Sequence, residues 1–156
     1  MTARVRVIGL GRQTAGDDGA GPAVIAELAR RGVPAGVELH QLADPSDLLP
    51  LVDGPGRVVI VDAVLGRPAG RVLVLTPEAL SAQATVPSSS HGLGVGQALA
   101  LARVLAVDAA RPEVRLIGIT IESPDGPRVG LSPEIALAVI EAADCVLRVV
   151  TQPDSA

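Results

Sequence analysis

The run RVVIVDAV, residues 57–64, is the feature that most restricts how this chain can fold. It is apolar almost throughout and does not alternate between apolar and polar positions, so both of its faces must be buried. A strand of this kind is typical of the centre of a parallel sheet that helices cover on both sides. The run also contains Asp62, a carboxylate at the point where we expect the strand to end.

Glycine and proline divide the rest of the chain into alternating strands and helices. The connection before residues 70–76 is too short for a helical crossover, so this strand is expected to pair antiparallel. The sequence predicts a three-layer α/β sandwich, with a mostly parallel, mixed sheet of about five strands, in a single domain over residues 1–150 and a short tail over 151–156. The predicted strands are 4–10, 36–42, 57–64, 70–76 and 113–122, and the predicted helices include 21–31 and 95–107.

The last predicted helix has the clearest pattern in the sequence. Ser132 is expected to cap it, with Pro133 and Glu134 in its first turn. Its apolar residues share one helical face, and they are Ile135, Val139, Ala142, Val146 and Val149. The first helix is expected to stop at Gly32, and Asp44 is expected to cap a further helical turn.

Composition excludes several classes of function. The chain has a net charge of −4, no basic run and no Phe, Trp or Tyr, which argues against a nucleic-acid partner. The single cysteine excludes an internal disulfide and a cysteine-based zinc cluster, and it agrees with a reducing compartment. Residues 79–102 carry no formal charge, but Pro87, a serine run and His91 interrupt them, so we expect no membrane span. With no signal-peptide pattern at the N-terminus, we expect a cytoplasmic protein, and we expect it to be a monomer.

Polar residues break the apolar pattern at or near the ends of three predicted strands. Asp17 and Asp18 follow the first strand, Asp62 ends the third, and Glu122 ends the strand before the last helix. His91 lies in a loop that leads into a helix. Because binding sites collect beyond the carboxyl ends of parallel strands, these residues can converge on one edge of the sheet. Two carboxylates and an imidazole suit a divalent nickel, zinc or manganese ion, and three ligands leave positions open for a substrate.

Each of these residues also has a structural interpretation. Asp18 could cap the following helix, Asp62 could accept hydrogen bonds from loop amides, and His91 could be an incidental loop residue. We interpret His40 as a structural residue within a strand and Cys145 as a small core residue of the last helix. For Asp17 we favour a turn-forming role over a proton-handling role, and we interpret Glu122 as a surface or loop-anchoring group.

The first loop also resembles a dinucleotide-binding turn. Gly9 and Gly11 match the start of that motif, but Thr14 replaces its third glycine. Asp17 and Asp18 lie near the start of the following helix, where they would repel the phosphate that a helix N-terminus normally attracts. A nucleotide-binding α/β domain therefore remains the weaker alternative.

Four blocks of the sequence resemble the [NiFe]-hydrogenase maturation proteases. They are VIGLGRQTAGDDGAGPAVIAEL (7–28), VVIVDAVLGRPAGRVLVL (58–75), SSSHGLGVGQALALARVL (88–105) and LIGITIESPDGPRVGLSPEI (116–135). They occur in the order found in that family and span nearly the whole chain. Two positions depart from the family: Arg12 replaces a usual asparagine, and HQLADPSDLL replaces an Asp-Gly-Gly-Thr type of turn.

The resemblance implies an aspartic-type endopeptidase that removes the C-terminal extension of a hydrogenase large-subunit precursor. It implies that the enzyme recognises nickel already carried by that precursor and does not hold the metal tightly itself. Block by block, the catalytic and metal-contacting roles fall on Asp18, Asp62 and His91. An alternative is a non-catalytic module that checks nickel loading or acts as a chaperone during hydrogenase assembly. The departures at Arg12 and in HQLADPSDLL put in question which hydrogenase is the partner, more than they do the chemistry.

Overall fold

A mixed five-stranded sheet forms the centre of the molecule. The computed structural model describes residues 4–76, 100, 112–122 and 130–152. The strands lie in the order β2-β1-β3-β5-β4, and all are parallel except β4, which pairs antiparallel with β5 at one edge. This confirms the predicted sheet, including the antiparallel strand. The strands are β1 (Val5–Leu10), β2 (Val37–Leu42), β3 (Arg57–Leu65), β4 (Val72–Leu75) and β5 (Glu113–Ile121).

Two long helices, α1 (Ala20–Arg31) and α2 (Pro133–Thr151), pack on the same face of the sheet. The five residues predicted to share one face of α2 are all buried in this layer, together with Cys145. Ser132 is the N-cap of α2 and Gly32 is the C-cap of α1, as the sequence predicts. The helical period of apolar residues therefore identified the packed face correctly.

The opposite face of the sheet is covered, among the described residues, by a short 3₁₀ helix, Pro45–Leu51. It begins where the sequence predicts, and the Asp44 carboxylate accepts a hydrogen bond from the Ser46 amide at 2.9 Å. Leu48 of this helix is fully buried against Ile8 and Ile60 of the sheet. The helix predicted over 95–107 lies outside the described residues except for Ala100.

The direction of α2 places its N-terminus at the carboxyl ends of the parallel strands. At the amino ends of the strands, Arg57 at the start of β3 is buried. It donates to the carbonyl oxygens of Val149 at 2.6 Å and Gln152 at 2.9 Å. These two bonds reach carbonyl groups at the end of α2, where the last carbonyls lack the regular helical partner. The Val149 carbonyl also accepts a hydrogen bond from the Gln152 amide at 3.3 Å. Ser132, at the other end of α2, consequently lies near the loop that follows β1.

No helix in the described ranges has both the length and the apolar character needed to cross a bilayer. The tail predicted over 151–156 overlaps α2 by one residue, since the helix continues through Thr151.

Candidate active site

The loop between β1 and α1 folds back on itself just beyond the end of β1. Gly11 has a φ of +143°, and a Cβ at this position would lie 2.0 Å from the carbonyl oxygen of Asp18. A side chain is therefore excluded at Gly11 by both its backbone conformation and the crowding. The loop then forms a 3₁₀ helix, Gly16–Gly19, which carries the two adjacent aspartates. The second glycine of the turn thus allows a close return of the chain.

Asp18 points into the protein and does not cap α1. The residue is only 4% exposed, and its Oδ2 accepts a hydrogen bond from the Arg12 amide at 3.1 Å. The N-cap of α1 is Gly19, which has no side chain to make a capping bond. The structural interpretation of Asp18 as a helix cap was therefore wrong.

Asp62 lies inside β3 and does not end the strand as predicted, because β3 continues to Leu65 alongside β5. The pairing of β1 with β3, however, stops at Gly9 and Val61. Asp62 is thus the first residue of β3 that has lost its neighbour on the β1 side, where the chain of β1 turns away into the loop carrying Asp18. This local gap in the sheet explains how a carboxylate is accommodated in a central strand.

The carboxyl group of Asp62 is in an environment that disfavours its ionised form. The residue is 5% exposed, and its Oδ1 has no hydrogen-bond partner among the described residues. Burial raises the pKa of Asp62 well above its ordinary value, the charge of Asp18 raises it further, and a hydrogen bond from the Ala63 amide opposes both effects. The two aspartates predicted to act together therefore interact electrostatically in the folded protein.

The other predicted residues have different positions. His91, with the serines that precede it, lies outside the described residues, and within the described ranges no three His, Cys, Asp or Glu side chains form a metal-binding group. Glu122 is exposed directly after β5. Asp17 lies in the 3₁₀ helix Gly16–Gly19, and both of its carboxylate oxygens accept hydrogen bonds from Ser132.

A cleft of about 360 Å³ lies beside this loop, at the ends of β1 and β2. Arg12, Gln13 and Thr14 line one part of it, and Gln41, Leu42 and Ala43 line another. Arg12 also contributes the backbone amide that holds Asp18, so the cleft and the aspartate pair share one loop. This amide contact could not be predicted from the sequence, because it depends on how the loop folds.

The chain is similar to proteins that process hydrogenases. Residues 22–149 match the family model HycI, described as hydrogenase maturation protease. The hydrogenase maturating endopeptidase HybD from Escherichia coli has a similar structure, with a TM-score of 0.79 and 26% identity over 94% of this chain and 91% of that chain. The maturation protease HybD from Thermococcus kodakarensis gives a TM-score of 0.73 and 25% identity, covering 94% and 98%. Protein FrxA from Pyrococcus furiosus is 29% identical over 141 residues, covering 88% of this chain and 98% of the relative.

Proposed function

This chain belongs to the hydrogenase maturation protease family, and from that premise we propose that it removes the C-terminal extension of a nickel-loaded [NiFe]-hydrogenase large-subunit precursor. Members of this family are peptidases, so the chain is an enzyme of that class. In the proposed reaction Asp18, Asp62 and His91 contact the nickel that the precursor carries. The metal is part of the substrate, and the free enzyme does not hold it tightly.

The observation that carries this proposal is the burial of two interacting carboxylates, one of which has an oxygen without a hydrogen-bond partner in the part of the chain that the structure describes. A buried carboxylate without a cation is unfavourable, and a second carboxylate nearby makes its ionisation more costly. A divalent cation brought by the substrate would reverse this balance, because it favours the ionised form of both groups. Oxygen ligands together with an imidazole are a suitable donor set for nickel.

The chemistry proposed for the aspartates follows from their electrostatics. Without nickel, Asp62 holds a proton more readily than an ordinary aspartate. Nickel favours the ionised form of Asp62, so both carboxylates can bind the ion when the precursor docks, which positions the scissile peptide beside them. Nickel can polarise a carbonyl or activate water, and a carboxylate of the pair can receive the proton of the attacking water and pass it to the amine that is released when the peptide C–N bond breaks. A precursor without nickel brings no cation, so it offers the two aspartates nothing to bind and its complex with the enzyme is less stable.

The cleft beside the Asp18 loop supports a peptide substrate. It is continuous with the loop through Arg12, and it offers amide, hydroxyl and guanidinium donors next to apolar side chains. A peptide needs both kinds of contact, because its backbone must form hydrogen bonds while its side chains are buried.

We also propose that the enzyme acts in the cytoplasm as a monomer.

Two variants test the assigned residues. Asp62→Asn and His91→Ala are each expected to lower processing of a nickel-loaded precursor at least a hundredfold, because each removes one proposed nickel contact. The measurement is the intact mass of the precursor over time. His40→Ala is the matched control, since it removes the other histidine of the chain, which lies in β2.

The outcomes separate the proposed roles. Full processing by His91→Ala would contradict the assignment of that residue. If the wild-type protein binds the loaded precursor but its mass never changes, the chain is a nickel-checking module and the peptidase proposal is wrong. Thermal stabilisation by a nucleotide, but not by the loaded precursor, would instead favour a nucleotide-binding domain.

A further inference from the structure

We propose that Asp17 is a positioning residue of the active site: by binding the N-terminus of α2, it holds the turn that carries Asp18 against β3. This inference rests on the proposed function, since it names a residue that acts through Asp18. This role of Asp17 cannot be read from the sequence or from the adjacent Asp18. Asp17 itself does not contact the substrate or the nickel.

The contact is made by both oxygens of one carboxylate. The Ser132 amide donates to Oδ1 of Asp17 at 2.7 Å, and the Ser132 hydroxyl donates to Oδ2 at 2.9 Å. The two residues are 115 positions apart in the chain, so the bonds join the first loop to the last helix. Hydrogen bonds to an ionised acceptor are shorter and stronger than those between neutral groups. The carboxylate is therefore a firm connection between two elements that are distant in the sequence.

Asp17 lies at the N-terminus of α2 and binds its N-cap residue. Ser132 is the N-cap of this 19-residue helix, but its side chain makes no capping bond to the helix itself. The hydroxyl and amide of Ser132 turn instead toward Asp17. A carboxylate at this place also benefits from the partial positive charge of the helix N-terminus. The last helix thus supplies a binding position for a loop that belongs to the first part of the chain.

The Asp18 turn needs such a connection because the proposed reaction requires Asp18 and Asp62 to contact one ion. Both carboxylates are buried, and the turn must stay against β3 for them to remain neighbours. The bond from the Arg12 amide to Asp18 lies within the same loop, so it shapes the loop without joining it to another element. The bond to α2 does join it to another element, and α2 packs against the sheet that contains β3.

The test compares two variants of Asp17 with a control on the same helix. Asp17→Ala removes both bonds, and we expect kcat/KM for the nickel-loaded precursor to fall 10- to 100-fold, as is typical when a supporting contact of a metal-binding group is lost. Asp17→Asn keeps an acceptor for the Ser132 amide and a polar group for its hydroxyl, so it is expected to retain at least half of the activity. Val149→Ala removes buried methyl groups at the other end of α2, about 25 Å away along the helix. It is expected to lower Tm by a few degrees without reducing the rate.

Two results would overturn the inference. If Asp17→Ala processes as fast as Val149→Ala at a temperature well below both Tm values, Asp17 contributes stability alone. If Asp17→Asn is as slow as Asp17→Ala, the reaction needs the charge of Asp17 and not its connection to Ser132.

A second measurement does not depend on activity, so it separates this inference from the proposed function. Hydrogen exchange of the amides in Gly16–Gly19 is expected to be at least tenfold faster in Asp17→Ala than in wild type, and close to wild type in Asp17→Asn and Val149→Ala. If the wild-type protein processes no precursor, the proposed function fails, but faster exchange in Asp17→Ala still supports the connection. Unchanged exchange in Asp17→Ala would overturn it.

Discussion

At the scale of single residues, Asp62 is a buried carboxyl group that lowers stability at a position where we propose a role in the site. Its carboxyl group is buried in β3, and both burial and Asp18 raise its pKa. An acid whose pKa is raised by folding binds a proton more tightly in the folded state, so it reduces stability once the pH passes its ordinary pKa. Buried polar groups that are poorly satisfied are uncommon in folded proteins, and they are often found where function requires them.

We therefore expect Asp62→Asn to be more stable than wild type at pH 7. Asparagine has the same shape and can accept the Ala63 amide, but it does not ionise. The sign follows from linkage: below the ordinary aspartate pKa of about 3.9 both proteins are neutral at this position, and wild type loses stability as the pH rises from there toward the raised pKa. The difference in free energy of unfolding should therefore grow from near zero at acid pH to a higher plateau. Urea denaturation between pH 3.5 and 8 measures it, and a difference independent of pH would contradict the account.

At the scale of elements, the close approach of α1 to the sheet places the Asp18 turn. Gly9 in β1 and Gly21 in the first turn of α1 face each other, and a Cβ on Gly9 would lie 2.5 Å from the carbonyl oxygen of Gly21. A Cβ on Gly21 would lie 2.2 Å from the carbonyl oxygen of Leu10 and 2.7 Å from that of Val61. The start of α1 therefore packs directly on the backbone of β1 and β3, just beside Asp62.

Gly21→Ala is consequently expected to destabilise the protein by about 3 kcal/mol, because backbone atoms of two strands must move to admit the methyl group. Gly32→Ala is the matched control: its Cβ would meet nothing within 4 Å, but its φ of +86° is unfavourable for alanine, so we expect a cost of about 1 kcal/mol. Urea denaturation of both variants gives the comparison. An equal loss in the free energy of unfolding for the two variants would mean that the methyl group at Gly21 is accommodated without extra cost. The tight contact of α1 with the backbone of β1 and β3 would then be wrong.

At the scale of the whole molecule, the local elements could be predicted from the sequence more completely than their contacts. The continuous run of β3 and the helical period of α2 identified a mostly parallel sheet and the buried face of the last helix, because both patterns depend on short stretches. The strand order could not be obtained in this way: nothing near residues 72–75 indicates that β4 pairs with β5. The sequence pattern placed Asp62 at a strand end. Its actual position inside β3, just past the last residue paired with β1, is visible only in the register of the sheet.

The same limit applies to the candidate site. Asp18 and Asp62 could be selected from the sequence, since carboxylates are unusual within or beside apolar strand patterns. Their mutual interaction is present in the structure, while the part of His91 stays a prediction. The contact between Asp17 and Ser132 could not be predicted, because it joins two loops through a fold that neither segment specifies. The buried Arg57 could not be predicted either, since its partners are carbonyl groups at the far end of the chain.

We propose that this enzyme cleaves a precursor because of the nickel that the precursor carries. The most direct test is the intact mass of the hydrogenase large-subunit precursor from the same genome, after incubation with this protein, with and without nickel loading. We expect loss of a C-terminal peptide in the nickel-loaded sample alone. Cleavage of both samples would contradict recognition of nickel by the aspartate pair, and an unchanged mass in both would contradict the proposed peptidase activity on this precursor.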